Sequence, residues 1–144
     1  MSMSNGERKI ATLLEQGDIL YKQEYSFPDL KSDKGIPLRF DFAVYEDADA
    51  YEQDRVKFLI EFQGEQHYRQ KFTSREAFNR QVSNDKRKRN YCNVKGIRLV
   101  AIPYTEYNSM TLDSILELGH DFDRIRKGGG TWLINLFAQE LGKE

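Results

Sequence analysis

Leu38-Arg-Phe-Asp-Phe-Ala-Val-Tyr45 and Val56-Lys-Phe-Leu-Ile-Glu-Phe-Gln63 are the stretches whose reading decides the fold. Both alternate residue by residue, the period of a strand whose two faces meet different surroundings. In the first, Phe40, Phe42 and Val44 are expected on one face and Arg39, Asp41 and Ala43 on the other. In the second, Val56, Phe58, Ile60 and Phe62 oppose Lys57, Leu59, Glu61 and Gln63, and Gly64 ends the run. Residues 46–54 between them carry five acids (Glu46, Asp47, Asp49, Glu52 and Asp54) and no base. That composition suits the loop of an antiparallel hairpin.

Upstream, Ile10, Leu13 and Leu14 recur at helical spacing, and Ser4 stands three residues before Glu7. The spacing predicts a helix over 5–16, opened by a capping box and closed at Gly17. Tyr21, Tyr25 and Phe27 predict a strand over 19–27, and the turn-rich stretch 28–37 leads from it into the hairpin. Downstream, a polar, basic helix is expected over 75–94, with Phe78, Val82, Tyr91 and Cys92 inward and Gly96 at its end. Ile97-Arg-Leu-Val-Ala-Ile-Pro103 is nearly all apolar, the mark of a strand covered on both faces. A strand reached through a crossover helix runs parallel to the one before it. The fold class is therefore mixed α/β (α+β): helix, three antiparallel strands, helix, strand. C-terminal helices follow near 111–118 and 131–141, separated by Gly128-Gly-Gly130, with Thr131 as a cap. The later one gathers Trp132, Leu133, Leu136, Phe137 and Leu141 on a single face, which packs on the domain or on a partner copy. The organisation read from this is one domain over 1–108 and a helical extension over 109–144.

A chain of 144 residues suits one core. Its composition, 39% hydrophobic and 31% charged, is that of a folded chain and not a disordered one. No apolar run is long enough to span a membrane, and the first residues lack the apolar stretch of a secretory signal. A cytoplasmic protein is expected. One cysteine and two histidines exclude an internal disulfide and a structural zinc cluster. The net charge of −1 hides an uneven distribution. Residues 69–98 hold ten Lys or Arg against Glu76 and Asp85. Such a segment is either a solvated helix face or a surface that attracts phosphate backbones.

Asp41 and Glu61 sit within strands whose neighbours are apolar, and burying a carboxylate is costly unless it is paired or bound to a cation. On adjacent strands in a suitable register the two share a face, where they repel each other and a divalent ion relieves the repulsion. Oxygen ligands suit magnesium or manganese. The plainer alternative is an ordinary ion pair of Asp41 with Arg39 or a helix base.

The ordered set Arg39-Phe-Asp41-Phe, Ile60-Glu61-Phe-Gln63-Gly-Glu-Gln-His67-Tyr, Asn84-Asp85 with Lys88, and Ile97-Arg-Leu-Val resembles the PD-(D/E)XK superfamily of restriction-endonuclease-like nucleases. The closest look is to small phage and bacterial endonucleases of the very-short-patch-repair type. The resemblance covers about residues 4–104 and implies a magnesium- or manganese-dependent endonuclease acting on DNA, branched or damaged DNA included. It implies that Asp41 and Glu61 are metal ligands, with the Phe62 backbone carbonyl a further one. Glu7 matches an acid that some members place on the first helix, although it also completes the capping box with Ser4. Gln63 stands where the usual lysine would be, and this is the main departure from the pattern. Lys88 is the candidate replacement, with Lys86 the alternative. His67 is either a general base or a hydrogen-bonded loop residue. Arg39, Lys86, Arg87, Lys88 and Arg89 are the expected nucleic-acid contacts. Two other functions stay open: a DNA-binding module that kept the fold and lost catalysis, and an RNA nuclease. Cleavage of both strands would favour a homodimer.

Overall fold

The computed structural model describes residues 3–64 and 74–120. In chain order these are α1 (Asn5–Gln16), β1 (Tyr21–Lys31), β2 (Pro37–Val44), α2 (Ala48–Glu52), β3 (Phe58–Gln63), α3 (Arg75–Lys95), β4 (Arg98–Pro103), a 3-10 turn (Tyr104–Glu106) and α4 (Leu112–His120). The strands form one mixed sheet in the order β1-β2-β3-β4. β1, β2 and β3 pair antiparallel, and β4 lies parallel to β3. The mixed α/β class and the parallel last strand are as the sequence predicts. The helix expected over 131–141 lies outside the described residues.

Two apolar layers hold the sheet. On one face, Ile10, Ala11 and Leu14 of α1 pack with Ile115 and Leu118 of α4 over Phe42, Val44, Phe58, Ile60, Val100 and Ile102. On the other, Cys92 of α3 joins Leu38, Phe40, Ala43, Leu59 and Leu99. Each fully buried large side chain is worth roughly 1.5–3 kcal/mol, so these layers dominate stability. No helix among the described residues is long and apolar enough to cross a membrane.

Four details depart from the sequence reading. β1 continues through Pro28 to Lys31, because an edge strand has an outer side that needs no ladder donor. The acidic stretch after β2 is a short helix, with the Asp47 side chain accepting from the Ala50 N–H at 2.8 Å. Asp54 closes that stretch by accepting from the Tyr25 and Tyr45 hydroxyls at 2.8 and 2.5 Å. On α3, Cys92 is buried, but Val82, expected inward, is 46% exposed.

The fourth departure matters most. Phe40 does not share a face with Phe42 and Val44: it lies in the layer under α3, and they lie under α1 and α4. The alternation turns over at Asp41. Across the β1–β2 ladder the pairing runs Gln23↔Phe42 and resumes at Tyr25↔Phe40, and Glu24, opposite Asp41, has φ +52°. A left-handed residue in a strand flips the pleat, and β1 shows the same switch: Tyr21 packs on one layer and Tyr25 on the other. The flip frees Asp41 from either face and turns its carboxylate toward β3.

Candidate active site

Asp41 meets the end of the β2–β3 ladder. The last pair is Phe42↔Ile60, so the same register carried one step further sets Asp41 opposite Glu61. There the Asp41 Oδ2 accepts a hydrogen bond from the Phe62 N–H at 2.8 Å. Glu61 points to the α3 side, where the Lys88 Nζ lies 2.8 Å from its Oε2. Both side chains are nearly buried, 8% exposed for Glu61 and 13% for Lys88. The ammonium also stands 5.3 Å from the centre of the Phe40 ring, a favourable cation–π position. The flip that sends Phe40 under α3 thus gives Lys88 its seat.

α1 brings Glu7 to the same place. Ser4 caps the helix by accepting from the Glu7 N–H at 3.1 Å. The reciprocal half of the expected capping box is not made: among the described residues the Glu7 carboxylate forms no hydrogen bond or ion pair. It is close enough to Asp41 to act on its titration. Burial pushes the Asp41 carboxyl up to about 7, the Glu61 carboxylate pushes the same way, and Glu7 adds to both. The Phe62 N–H and Lys88 pull against them.

Contact between Gly6 and Phe62 sets how closely α1 approaches. A Cβ on Gly6 would lie 2.2 Å from the Phe62 ring, which also packs edge-on to Tyr107. Lys9 reinforces this corner by donating to the Tyr107 carbonyl at 2.6 Å. Gly6→Ala is therefore expected to lower stability by about 1–3 kcal/mol through overpacking. The gain in helix propensity, at most about 1 kcal/mol, does not offset that. Urea unfolding reads the sign, and a raised midpoint would show that the contact does not set the approach.

The fold brings some of the expected site residues together and leaves others apart. Asp41, Glu61, Lys88 and Glu7 converge, and the Phe62 peptide lies beside them. Gln63 is buried at the end of β3, two residues beyond Glu61. Arg39 is exposed and pairs with Glu24 at 2.8 Å, so it is not the partner of Asp41. Lys86 is exposed, Arg87 reaches the Lys31 carbonyl at 3.4 Å, and Arg89 is half-buried. His67 lies outside the described residues. Gly6 and Glu24 are the additions that sequence reasoning missed. A glycine in a helix's first turn is a sign of close approach, whereas nothing in the sequence marks Glu24. A left-handed non-glycine residue costs of order 1–3 kcal/mol and persists where its surroundings impose it.

Among the described residues, no group of three or more His, Cys, Asp or Glu side chains stands ready-made to hold a metal ion. The donor set fits a different kind of site: two carboxylates that resist ionising together, with a third nearby. Magnesium is commonly held by one or two carboxylates, the rest of its shell being water and substrate phosphate. Burial is the main reason the Asp41 carboxyl is raised; only the smaller part due to Glu61 and Glu7 is one that added positive charge would relieve.

A pH dependence follows. Asp41 holds its proton more tightly when folded, about 7, than when unfolded, near 3.9. Its contribution to stability is fully present below about 4 and is lost as pH rises through about 7. Metal-free protein is expected to melt several degrees lower at pH 8 than at pH 5, and magnesium is expected to recover part of the loss at pH 8. A melting temperature flat across that range would contradict the burial of a repelled carboxyl.

No protein-family model, curated protein or solved structure matches the chain.

Proposed function

We propose that the chain is a magnesium- or manganese-dependent endonuclease that hydrolyses phosphodiester bonds in DNA, with the PD-(D/E)XK-like arrangement its sequence resembles. One observation carries the reading: the deeply buried Asp41 carboxyl feels the charges of Glu61 and Glu7, from two other elements, beside a nearly buried lysine, Lys88, that pairs with Glu61. A purely structural arrangement would pair the acids one to one. Here Asp41 is left with a backbone donor and two like charges.

In this reading Asp41 and Glu61 hold the cation, and the Phe62 carbonyl is the further oxygen that the resemblance supplies. The ion, when bound, contributes a Lewis acid that acidifies water and screens charge on the phosphate. Lys88 brings the positive charge that Gln63 cannot. Its ammonium keeps the Glu61 carboxylate oriented and faces the charge that develops on the phosphate. Glu7, whose carboxylate has no hydrogen-bond or ion-pair partner among the described residues, takes a proton from the attacking water or adds an oxygen to the cation.

The basic front of α3 favours a phosphate-rich substrate. Lys88 pairs with Glu61, and residues 75–87 extend α3 for ~20 Å on the N-terminal side of that pair. Arg75, Arg80, Lys86 and Arg87 are exposed along that length. The test is cleavage of linear, nicked, branched and single-stranded DNA, and of RNA, with and without magnesium or manganese. Metal-dependent cutting of at least one DNA substrate supports the proposal, and none in any arm overturns it.

The Lys88–Glu61 pair favours a second reading, because a built-in ammonium already neutralises one acid. A non-catalytic DNA-binding module predicts salt-sensitive binding, no cleavage and no calorimetric signal for magnesium.

A further inference from the structure

Among the described residues, three that are not glycine have a left-handed backbone: Asp18 at φ +58°, Glu24 at +52° and Asp54 at +56°. Asp18 lies between α1 and β1, and Asp54 lies between α2 and β3. Aspartate in a connection takes this conformation at small cost, because its short polar side chain can bond locally. Glu24 differs in place and in type. It lies inside β1, with the ladder pairs Gln23↔Phe42 and Tyr25↔Phe40 on either side of it. Glutamate is not among the residues that visit the left-handed region routinely.

The strain does little for Glu24 itself. Its side chain is exposed, and so is Arg39, its partner across the ladder at 2.8 Å. Exposed ion pairs contribute little to stability. The consequence falls on the facing strand. Asp41, opposite Glu24, is where the alternation of β2 turns over, with Phe40 in one apolar layer and Phe42 in the other. A regular strand would send residue 41 squarely to one face of the sheet. Here its carboxylate turns to β3 and accepts from the Phe62 N–H at 2.8 Å.

We infer that Glu24 is a positioning residue: its left-handed backbone, and not its charge, holds the Asp41 carboxylate on the Phe62 N–H and so among the acids of the site. The inference rests on the nuclease reading for its effect on cleavage. Substitutions at this position then rank by the backbone they permit. Glu24→Gly and Glu24→Asn accept a positive φ, whereas the β-branched side chain of Glu24→Val opposes it and favours regular strand. In regular strand Asp41 loses its hold on Phe62, and a misplacement of about 1 Å at a reacting centre costs about a hundredfold in rate.

The test compares wild type with Glu24→Gly, Glu24→Asn, Glu24→Gln and Glu24→Val. One readout is hydrogen exchange of the Phe62 amide, with the α1 amides as internal reference. The other is magnesium-dependent cleavage, per folded molecule, of the DNA that wild type cuts best, with melting temperature as the folding control. Glu24→Val is expected to lose at least about tenfold in Phe62 protection and about a hundredfold in rate. The other three variants are expected to stay within about threefold of wild type in both. A folded Glu24→Val protein with wild-type Phe62 exchange, or one that cleaves as fast as an active wild type, overturns the inference and leaves the nuclease intact. Equal losses in Glu24→Gln and Glu24→Val also overturn it, by placing the effect in the charge. Where Glu24→Val does not fold, the two variants that lack the charge decide: slower Phe62 exchange in Glu24→Asn than in Glu24→Gln supports the inference, and equal or faster exchange overturns it. Loss of Phe62 protection in Glu24→Val, in a protein whose wild type never cleaves, keeps the positioning of Asp41 and removes the nuclease.

Discussion

Asp41→Asn is expected to cut magnesium-supported cleavage by about a thousandfold or more while raising the melting temperature of the metal-free protein at pH 8. The two effects have one cause. Asparagine keeps an oxygen in place to accept from the Phe62 N–H, which Asp41 now does at 2.8 Å, so the backbone there stays satisfied. What disappears is a charge that burial and Glu61 both oppose. Above pH 7 the wild-type carboxyl ionises against that opposition, at up to ~1.4 kcal/mol for each unit its pKa is raised. Removing the charge returns part of that energy; the gain should shrink as pH falls through 7 and vanish only below about 4, where Asp41 is protonated in the folded and the unfolded chain alike. Losing a charged ligand to a Lewis-acidic cation costs several kcal/mol in the transition state, and about 4 kcal/mol corresponds to roughly a thousandfold in rate. Paired measurements of rate and melting decide the matter. A variant that melts lower at pH 8 would mean Asp41 is a structural anchor, and one that cleaves normally would remove it from the chemistry.

This opposition between stability and activity separates the legible part of the sequence from the rest. α1 was readable to its ends because Ser4, the Ile10/Leu14 spacing and Gly17 are local signals. The partnership of Asp41 and Glu61 was readable because two acids interrupt apolar strands. Their orientation was not. Strict alternation puts Asp41 on the face opposite Phe40, yet the left-handed Glu24 on the neighbouring strand turns the pleat over and aims Asp41 at β3. A conformation imposed from across a ladder leaves no trace in the strand that obeys it. Val82 failed for a related reason. Helical spacing tells which residues share a stripe, but only the seating of α3 on the sheet, near Cys92, tells where along the helix burial begins. Glu7 was ambiguous between cap and site, and the missing reciprocal bond to Ser4 tilts it toward the acids.

Lys88→Met is expected to slow cleavage by about a hundredfold to a thousandfold and to destabilise the metal-free protein. Its ammonium stands 2.8 Å from Glu61 in a nearly dry setting. Breaking a buried pair from one side costs about 3–5 kcal/mol, because the remaining charge is stranded. Here the stranded group is Glu61, already opposite Asp41, so magnesium should rescue the folding of this variant more than it stabilises wild type. The rate loss has a separate origin. A preorganised cation facing developing negative charge is worth about 2.7–4 kcal/mol, the scale measured when one such donor is removed elsewhere. Folding and rate therefore part under saturating magnesium: a merely structural lysine would then show full activity per folded molecule. A second variant sharpens the distinction. Gln63 follows Glu61 by two residues on the same strand, ~6.6 Å along, so both point the same way. Lysine at 63 in the Lys88→Met background restores an ammonium to that pocket from the strand instead of the helix. Recovery of at least about tenfold in rate would establish that the pocket needs the charge and not the residue that carries it. Recovery of stability with no recovery of rate would assign Lys88 to holding the sheet end closed.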